Sequence, residues 1–159
     1  MSSQSSVRDF LAPESLLPKL TKDYYTEPSM LRISRMSEDE LCCVENFSIY
    51  NEDVKVTFET ETDVRGLDLD EIVHLGHRAV EVYPENGKIA IPQAGTGLNK
   101  AAIIEFFKWA LPKKYENDID GYILKLKSWA TSIDAQFKFY DPEREMVCIR
   151  VNNFNMKSL

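Results

Sequence analysis

A chain of 159 residues, 43% hydrophobic and 11% aromatic, holds enough apolar material for one folded domain of roughly 100–150 residues, so disorder is not expected. A net charge of −7 and a pI near 4.9 set the surface against phosphate backbones and anionic membranes, which argues against direct nucleic-acid binding. No apolar run reaches the ~18 residues that cross a bilayer, and Met1–Ser6 is polar without an apolar h-region, so neither membrane insertion nor a secretory leader is expected.

Residues 1–20 mix Ser, Pro and Leu without a period. They are expected to form a flexible N-terminal lead in which Leu16, Leu17 and Leu20 pack locally, with the domain itself over 21–159. Pro28 can open a helix with Met30, Leu31 and Ile33 on its apolar side. Ser37 followed by Glu40 is a capping-box pattern and predicts a helical turn over 38–43. Val44–Ile49 reads as one strand. Val54, Val56 and Phe58 alternate with Lys55 and Thr57, the period of a half-buried strand. Gly66–Asp70 is a turn feeding Ile72 and Val73. Val80, Val82 and Tyr83 form the next alternating run, closed by Pro84-Glu85-Asn86-Gly87.

Between Glu38 and Glu71 stand twelve acids against Lys55 and Arg65. A solvated acidic face explains them, and pairing with a basic protein surface is the functional alternative. Cys42, Cys43 and Cys148 do not make a disulfide framework and are expected as buried thiols in a reducing compartment. His74 and His77 would point to opposite faces of a strand with no cysteine to complete a zinc set, so no metal site is expected. Asp68 and Asp70 lack the downstream glycine and glutamate of a calcium loop. Gln93–Lys100 contains a Gly-x-Gly but not the Gly-Lys-Ser/Thr of a phosphate loop, and is expected as an ordered connection. No cofactor is implied.

Ala101–Ala110 suits a buried strand or a helix equally well, ended by Pro112. Asp118–Ile133 is the clearest helix, with Ile119, Ile123, Leu126 and Ala130 as its stripe and Asp118 or Asp120 as its cap. Phe137 and Phe139, then Val147, Ile149 and Val151, alternate on either side of Asp141-Pro142-Glu143-Arg144, a hairpin signal. The sum is an α+β domain: an antiparallel or mixed sheet with a sandwich-like core, flanked by one long and one or two short helices.

These segments, in this order, carry a resemblance. Tyr24–Ser29, Val44–Ile49, Asp63–Val73, Val80–Tyr83, Gly97–Ala101, and Ala135–Phe137 with Tyr140-Asp141 resemble the nucleoporin autoproteolytic (peptidase S59-type) C-terminal domain of the 98-kDa nucleoporin family, from about Thr21 to Asn155. The resemblance makes 101–109 a strand. It implies a docking domain of the nuclear pore complex, in the nucleus, that binds scaffold nucleoporins: a β-propeller partner and the companion product of the family precursor. FG-repeat segments precede the domain in most members and carry transport of protein and mRNA.

Many members also cut their own chain at His-Phe-Ser. The serine attacks the preceding carbonyl and the histidine manages the proton, which needs a hydroxyl or thiol after the bond and a base near neutral pKa. Here the matching tripeptide is Asn153-Phe154-Asn155. Neither asparagine supplies the missing group, so no catalytic residue remains and the bond after Phe154 is expected to stay intact. A residual autoprocessing peptidase and a soluble competitor of full-length nucleoporins are the alternatives. The family's glycine-rich hairpin is replaced by Ile49–Val54, so that turn must be built differently, and no Phe-Gly dipeptide occurs. Partner contacts are expected at Asn152, Asn153, Phe154, Asn155 and Met156, where an uncut tail could add strand-like main-chain bonds, and secondarily at Gly97, Leu98, Asn99 and Lys100.

Overall fold

The computed structural model describes residues 11–155. Its frame is one six-stranded antiparallel sheet in the order β1 (Tyr25–Glu27), β3 (Ser48–Tyr50), β4 (Val54–Phe58), β8 (Ala102–Phe106), β10 (Met146–Val151) and β9 (Gln136–Asp141). Two small antiparallel ladders stand beside it: β2 (Val44–Glu45) with β5 (Glu61–Thr62), and β6 (Val73–Gly76) with β7 (Ala79–Val82). Among the described residues the α-helices are three single turns, α1 (Met30–Ile33), α2 (Glu38–Leu41) and α3 (Leu69–Ile72), and one long helix, α4 (Ile119–Ser132), with 3-10 turns at Glu14–Leu16 and Lys113–Tyr115. The expected α+β class with a largely antiparallel sheet is what folds.

Alternation decides the faces. Val54, Val56 and Phe58 of β4, Ala102, Ile104 and Phe106 of β8, and Val147, Ile149 and Val151 of β10 are all fully buried, and register sets them side by side. Lys55, Thr57, Ile103 and Glu105, one residue out of phase, lie half-buried on the other face. A helix of this length is marginal by itself. Here aromatics pin α4 to the sheet: Trp109 Nε1 donates to Tyr122 Oη at 2.8 Å, Tyr140 Oη donates to the Trp109 carbonyl at 2.9 Å, and Trp129 packs against Phe106 and Trp109.

Several sequence expectations are redrawn. Val44–Ile49 is two strands, because Asn46 turns through φ +53° and sends β2 to β5 while β3 joins the main sheet. The cap of α1 is Ser29, whose side chain accepts the Arg32 N–H, and Leu31 points outward at 64% exposure because a single turn buries only Ile33 fully. The buried face of α4 is Tyr122, Leu126 and Ala130, with Ile119 exposed at its first turn. A register shift between Cys148 and Ile149 puts Phe139 opposite Cys148 but Phe137 opposite Ile149. The two phenylalanines therefore leave by opposite faces, since a bulge resets the alternation. Only Cys148 is a buried thiol; Cys42 is half-buried and Cys43 exposed, because the end of α2 faces solvent.

The lead also has structure in its described part. Ala12 N–H donates to the Met36 carbonyl, the Leu16 carbonyl accepts from Gly66, and Lys19 exchanges backbone bonds with Leu67 and Leu69. Leu17 and Leu20 pack on the core. The glycine-free turn after β3 is built on one side chain: Asn51 Oδ1 accepts the N–H groups of Asp53 (2.8 Å) and Val54 (3.0 Å). An Asx turn thus does what glycines would otherwise do.

Candidate functional site

The chain leaves β10 at Val151 and turns across the end of the sheet. Arg150 organises the exit. Its Nε and Nη2 donate to both oxygens of Glu59, at 2.7 and 3.0 Å, and its Nη1 donates to Asn152 Oδ1 at 2.7 Å. The guanidinium beside Glu59 holds that carboxyl below the usual range. Phe154 then folds inward, only 6% exposed, against Phe58, which stacks on Phe47.

Asn99 receives it. This fully buried side chain accepts the Phe154 N–H at Oδ1 (2.7 Å), while its Nδ2 donates to the Pro92 carbonyl and to Asn155 Oδ1, both at 2.8 Å. The three partners fix which end of the amide is which, because a backbone N–H must meet the oxygen. Next to it, Asn153 Oδ1 accepts the Asn155 N–H at 3.0 Å.

The loop that carries Asn99 is held from behind. Gly95 and Asn99 share a short backbone bond, and Thr96 N–H donates to Gln93. Gly97 sits at φ +55°, and a Cβ there would meet Tyr83 Oη at 2.6 Å, so only glycine fits. Tyr83, itself at φ +57°, is buried under the loop, and its hydroxyl oxygen accepts the Leu98 N–H at 3.1 Å. Lys100 turns the other way. Its Nζ donates to the Glu61 carbonyl (2.6 Å) and to Thr62 Oγ1 (3.1 Å), tying the loop to β5, and burial pulls its pKa down.

The expected contact residues are therefore sorted by the fold. Asn153, Phe154, Asn155 and Asn99 converge on one point. Asn152 stands beside it on Arg150. Gly97, Leu98 and Lys100 shape the loop without touching the tail in any hydrogen bond of the described residues. Met156 lies outside the described residues. Three supports, Tyr83, Phe58 and the Glu59–Arg150 pair, had no functional signal in the sequence. Tyr83 reads as an ordinary strand residue, and Glu59 and Arg150 are 91 residues apart.

The other sequence candidates fall elsewhere. His74 lies between Lys22 Nζ (3.0 Å) and the Glu71 carbonyl (3.1 Å), and His77 is out near Asp53. Asp68 caps α3, and Asp70 accepts three bonds from Thr21 and Lys22. Among the described residues no group of three or more His, Cys, Asp or Glu could hold a metal ion, and no helix is long and apolar enough to cross a membrane.

Chemically, the convergence point surrounds the Phe154–Asn155 peptide bond. An acyl shift there would need a nucleophile on residue 155 and a proton for the departing nitrogen of residue 155. The nitrogen is already engaged by an amide oxygen, which carries no proton to give, and the side chain of 155 is an amide engaged by Asn99. The arrangement binds and holds a chain segment.

The sequence model of one protein family, described as Nucleoporin2: Nup98-96 autopeptidase S59, matches residues 21–158. The nuclear pore complex protein Nup98-Nup96 of Drosophila melanogaster is 36% identical over 148 residues, covering 86% of this chain and 7% of that protein, so the chain spans less than a tenth of that relative. Among solved structures, the Chaetomium thermophilum Nup145N APD, a mutant fused to Nup145C N, superposes with a TM-score of 0.70 at 27% identity, over 85% of this chain and 96% of that one. The same fold recurs at 21% identity, with a TM-score of 0.69 over 84% of this chain and 98% of the matched one, in the yeast heterotrimeric Nup82-Nup159-Nup116 nucleoporin complex.

Proposed function

Because this chain belongs to the nucleoporin family of the Nup98-96 autopeptidase S59 type, we propose that it is a docking module of the nuclear pore complex that no longer cuts itself and engages a scaffold nucleoporin through its retained tail. Its relatives are nuclear pore nucleoporins, and the nucleus, at the pore, is where the family resides. Supporting transport of protein and mRNA is the role of such a module within the pore.

One observation carries the reading. Both amides flanking Phe154 are committed to hydrogen bonds, Asn153 to the Asn155 N–H and Asn155 to Asn99. Residues that would be reactive in a self-cleaving relative here serve as structural fasteners. The solved Nup145N domain fused to Nup145C N fits a segment of the companion product as one partner, and a β-propeller nucleoporin is the other.

Intact-mass spectrometry of the purified chain separates docking from residual self-processing. The full 18.3 kDa species supports the proposal; a product ending at Phe154 would establish a working peptidase. Binding is tested by titrating the chain, with and without residues 155–159, against a propeller nucleoporin. A changed affinity at unchanged fold supports contact through the tail, and equal affinities count against it.

A further inference from the structure

The junction between α2 and β2 presents two adjacent thiols to solvent. Cys42 Sγ and Cys43 Sγ lie side by side in contact, with Cys43 exposed and Cys42 half-buried. Their positions are set by neighbours on both sides. Leu41 is fully buried and Val44 nearly so, Val44 pairs with Thr62 of β5, and the capping box at Ser37 and Glu40 closes the other end of α2. Cys42 Sγ also donates to the Asp39 carbonyl at 3.0 Å.

We propose that Cys42 and Cys43 form a dithiol site that captures soft trivalent electrophiles, of which trivalent arsenicals are the chemical class that fits. Thiolate sulfur is a soft ligand, and soft centres select it. A closed zinc site would need four ligands, and among the described residues no group of three or more His, Cys, Asp or Glu could hold a metal ion. An arsenical needs only two sulfurs. An organoarsenic oxide condenses with both thiols: two As–S bonds form, the As–O bond is lost, and the two thiol protons leave with the oxygen as one water. No electron changes hands. Because both sulfurs are already adjacent, little freedom is lost in closing the ring.

The hydrogen bond with Cys42 pushes the Cys43 thiol up to about 11, with burial adding to it. Cys43 therefore enters the condensation as a thiol, and its proton leaves with the oxygen as part of the water formed.

The test uses the full chain and phenylarsine oxide. One phenylarsenic group should be retained per chain, surviving a large excess of monothiol and removed by a dithiol such as dithiothreitol. Peptide mapping of the unaltered chain should place it on the segment containing Cys42 and Cys43. Cys42→Ser and Cys43→Ser should each abolish monothiol-resistant retention, and Cys148→Ser should leave it intact. An adduct that monothiol strips from the unaltered chain, or that maps to Cys148, overturns the proposal without needing any variant to fold.

Discussion

Phe154 donates its backbone N–H to Oδ1 of Asn99 at 2.7 Å, joining a loop and a chain end that lie 55 residues apart. Both groups are buried, so each depends on the other for its hydrogen bond. This single contact converts two separate stretches of sequence into one site.

Asn99→Ala leaves the Phe154 N–H buried without an acceptor and should cost about 1–3 kcal/mol. Asn155→Ala, at the exposed end of the same network, should cost less. Because both act through one amide, a thermal or denaturant double-mutant cycle should show their effects to be non-additive by about 0.5 kcal/mol or more. Strict additivity would mean that the Asn99–Asn155 bond does not persist in solution.

Phe154 is the anchor of the tail against Phe58 and Phe47. Phe154→Ala should destabilise the domain by about 3 kcal/mol, and Phe154→Leu by much less. Denaturant midpoints read this directly. A loss below about 0.5 kcal/mol would show that the ring is not part of the core in solution.

The scaffold around the Phe154–Asn155 bond is held in place by Asn99, Asn153 and Asn155, and the proposed loss of self-cleavage can be tested by restoring a base and a hydroxyl there. The double variant Asn153→His with Asn155→Ser places a base beside the departing nitrogen and a hydroxyl beside the Phe154 carbonyl. A product ending at Phe154 is expected to accumulate on incubation, followed by intact mass. Persistence of the full chain would show that the tail is no longer held in a cleavable geometry.

Glu59 gives the exit of β10 a pH dependence. Its carboxyl is held below the ordinary glutamate value of 4.5 by Arg150, so the unfolded chain takes up a proton there before the folded one does. The stabilisation is therefore complete above pH 4.5 and is lost as pH falls through the lower folded value. With both side chains about a third exposed, screening limits it to roughly 0.5–1 kcal/mol. Glu59→Gln should be less stable than the unaltered chain at pH 7, and the two should converge in acid. A gap that stays constant with pH would rule out the ion pair as its cause.

The chain order of elements could be read from the sequence because it rests on local physics. Alternation in Val54–Phe58, the capping box at Ser37, the cap at Asp118 and the hairpin residues after Tyr140 act within a few residues. The placing of Asn153 and Asn155 about Phe154 is likewise legible in the sequence, and the expectation that self-cleavage is lost rests on it. Where the fold departs from the local pattern, a long-range or single-residue geometry intervenes. Asn46 broke one expected strand, a bulge at Cys148 separated Phe137 from Phe139, and solvent on one side of α2 exposed a thiol expected to be buried.

The site followed the same division. Sequence alone named both segments, Gly97–Lys100 and Asn152–Asn155, and the two amides at 153 and 155. Only the tertiary structure chose Asn99 over its loop neighbours Gly97, Leu98 and Lys100 as the residue that meets the tail. That choice depends on which way each side chain leaves the loop. It is set by Tyr83 beneath Gly97 and Leu98 and by β5 beside Lys100, partners 14 to 39 residues away whose positions exist only once the sheet has formed.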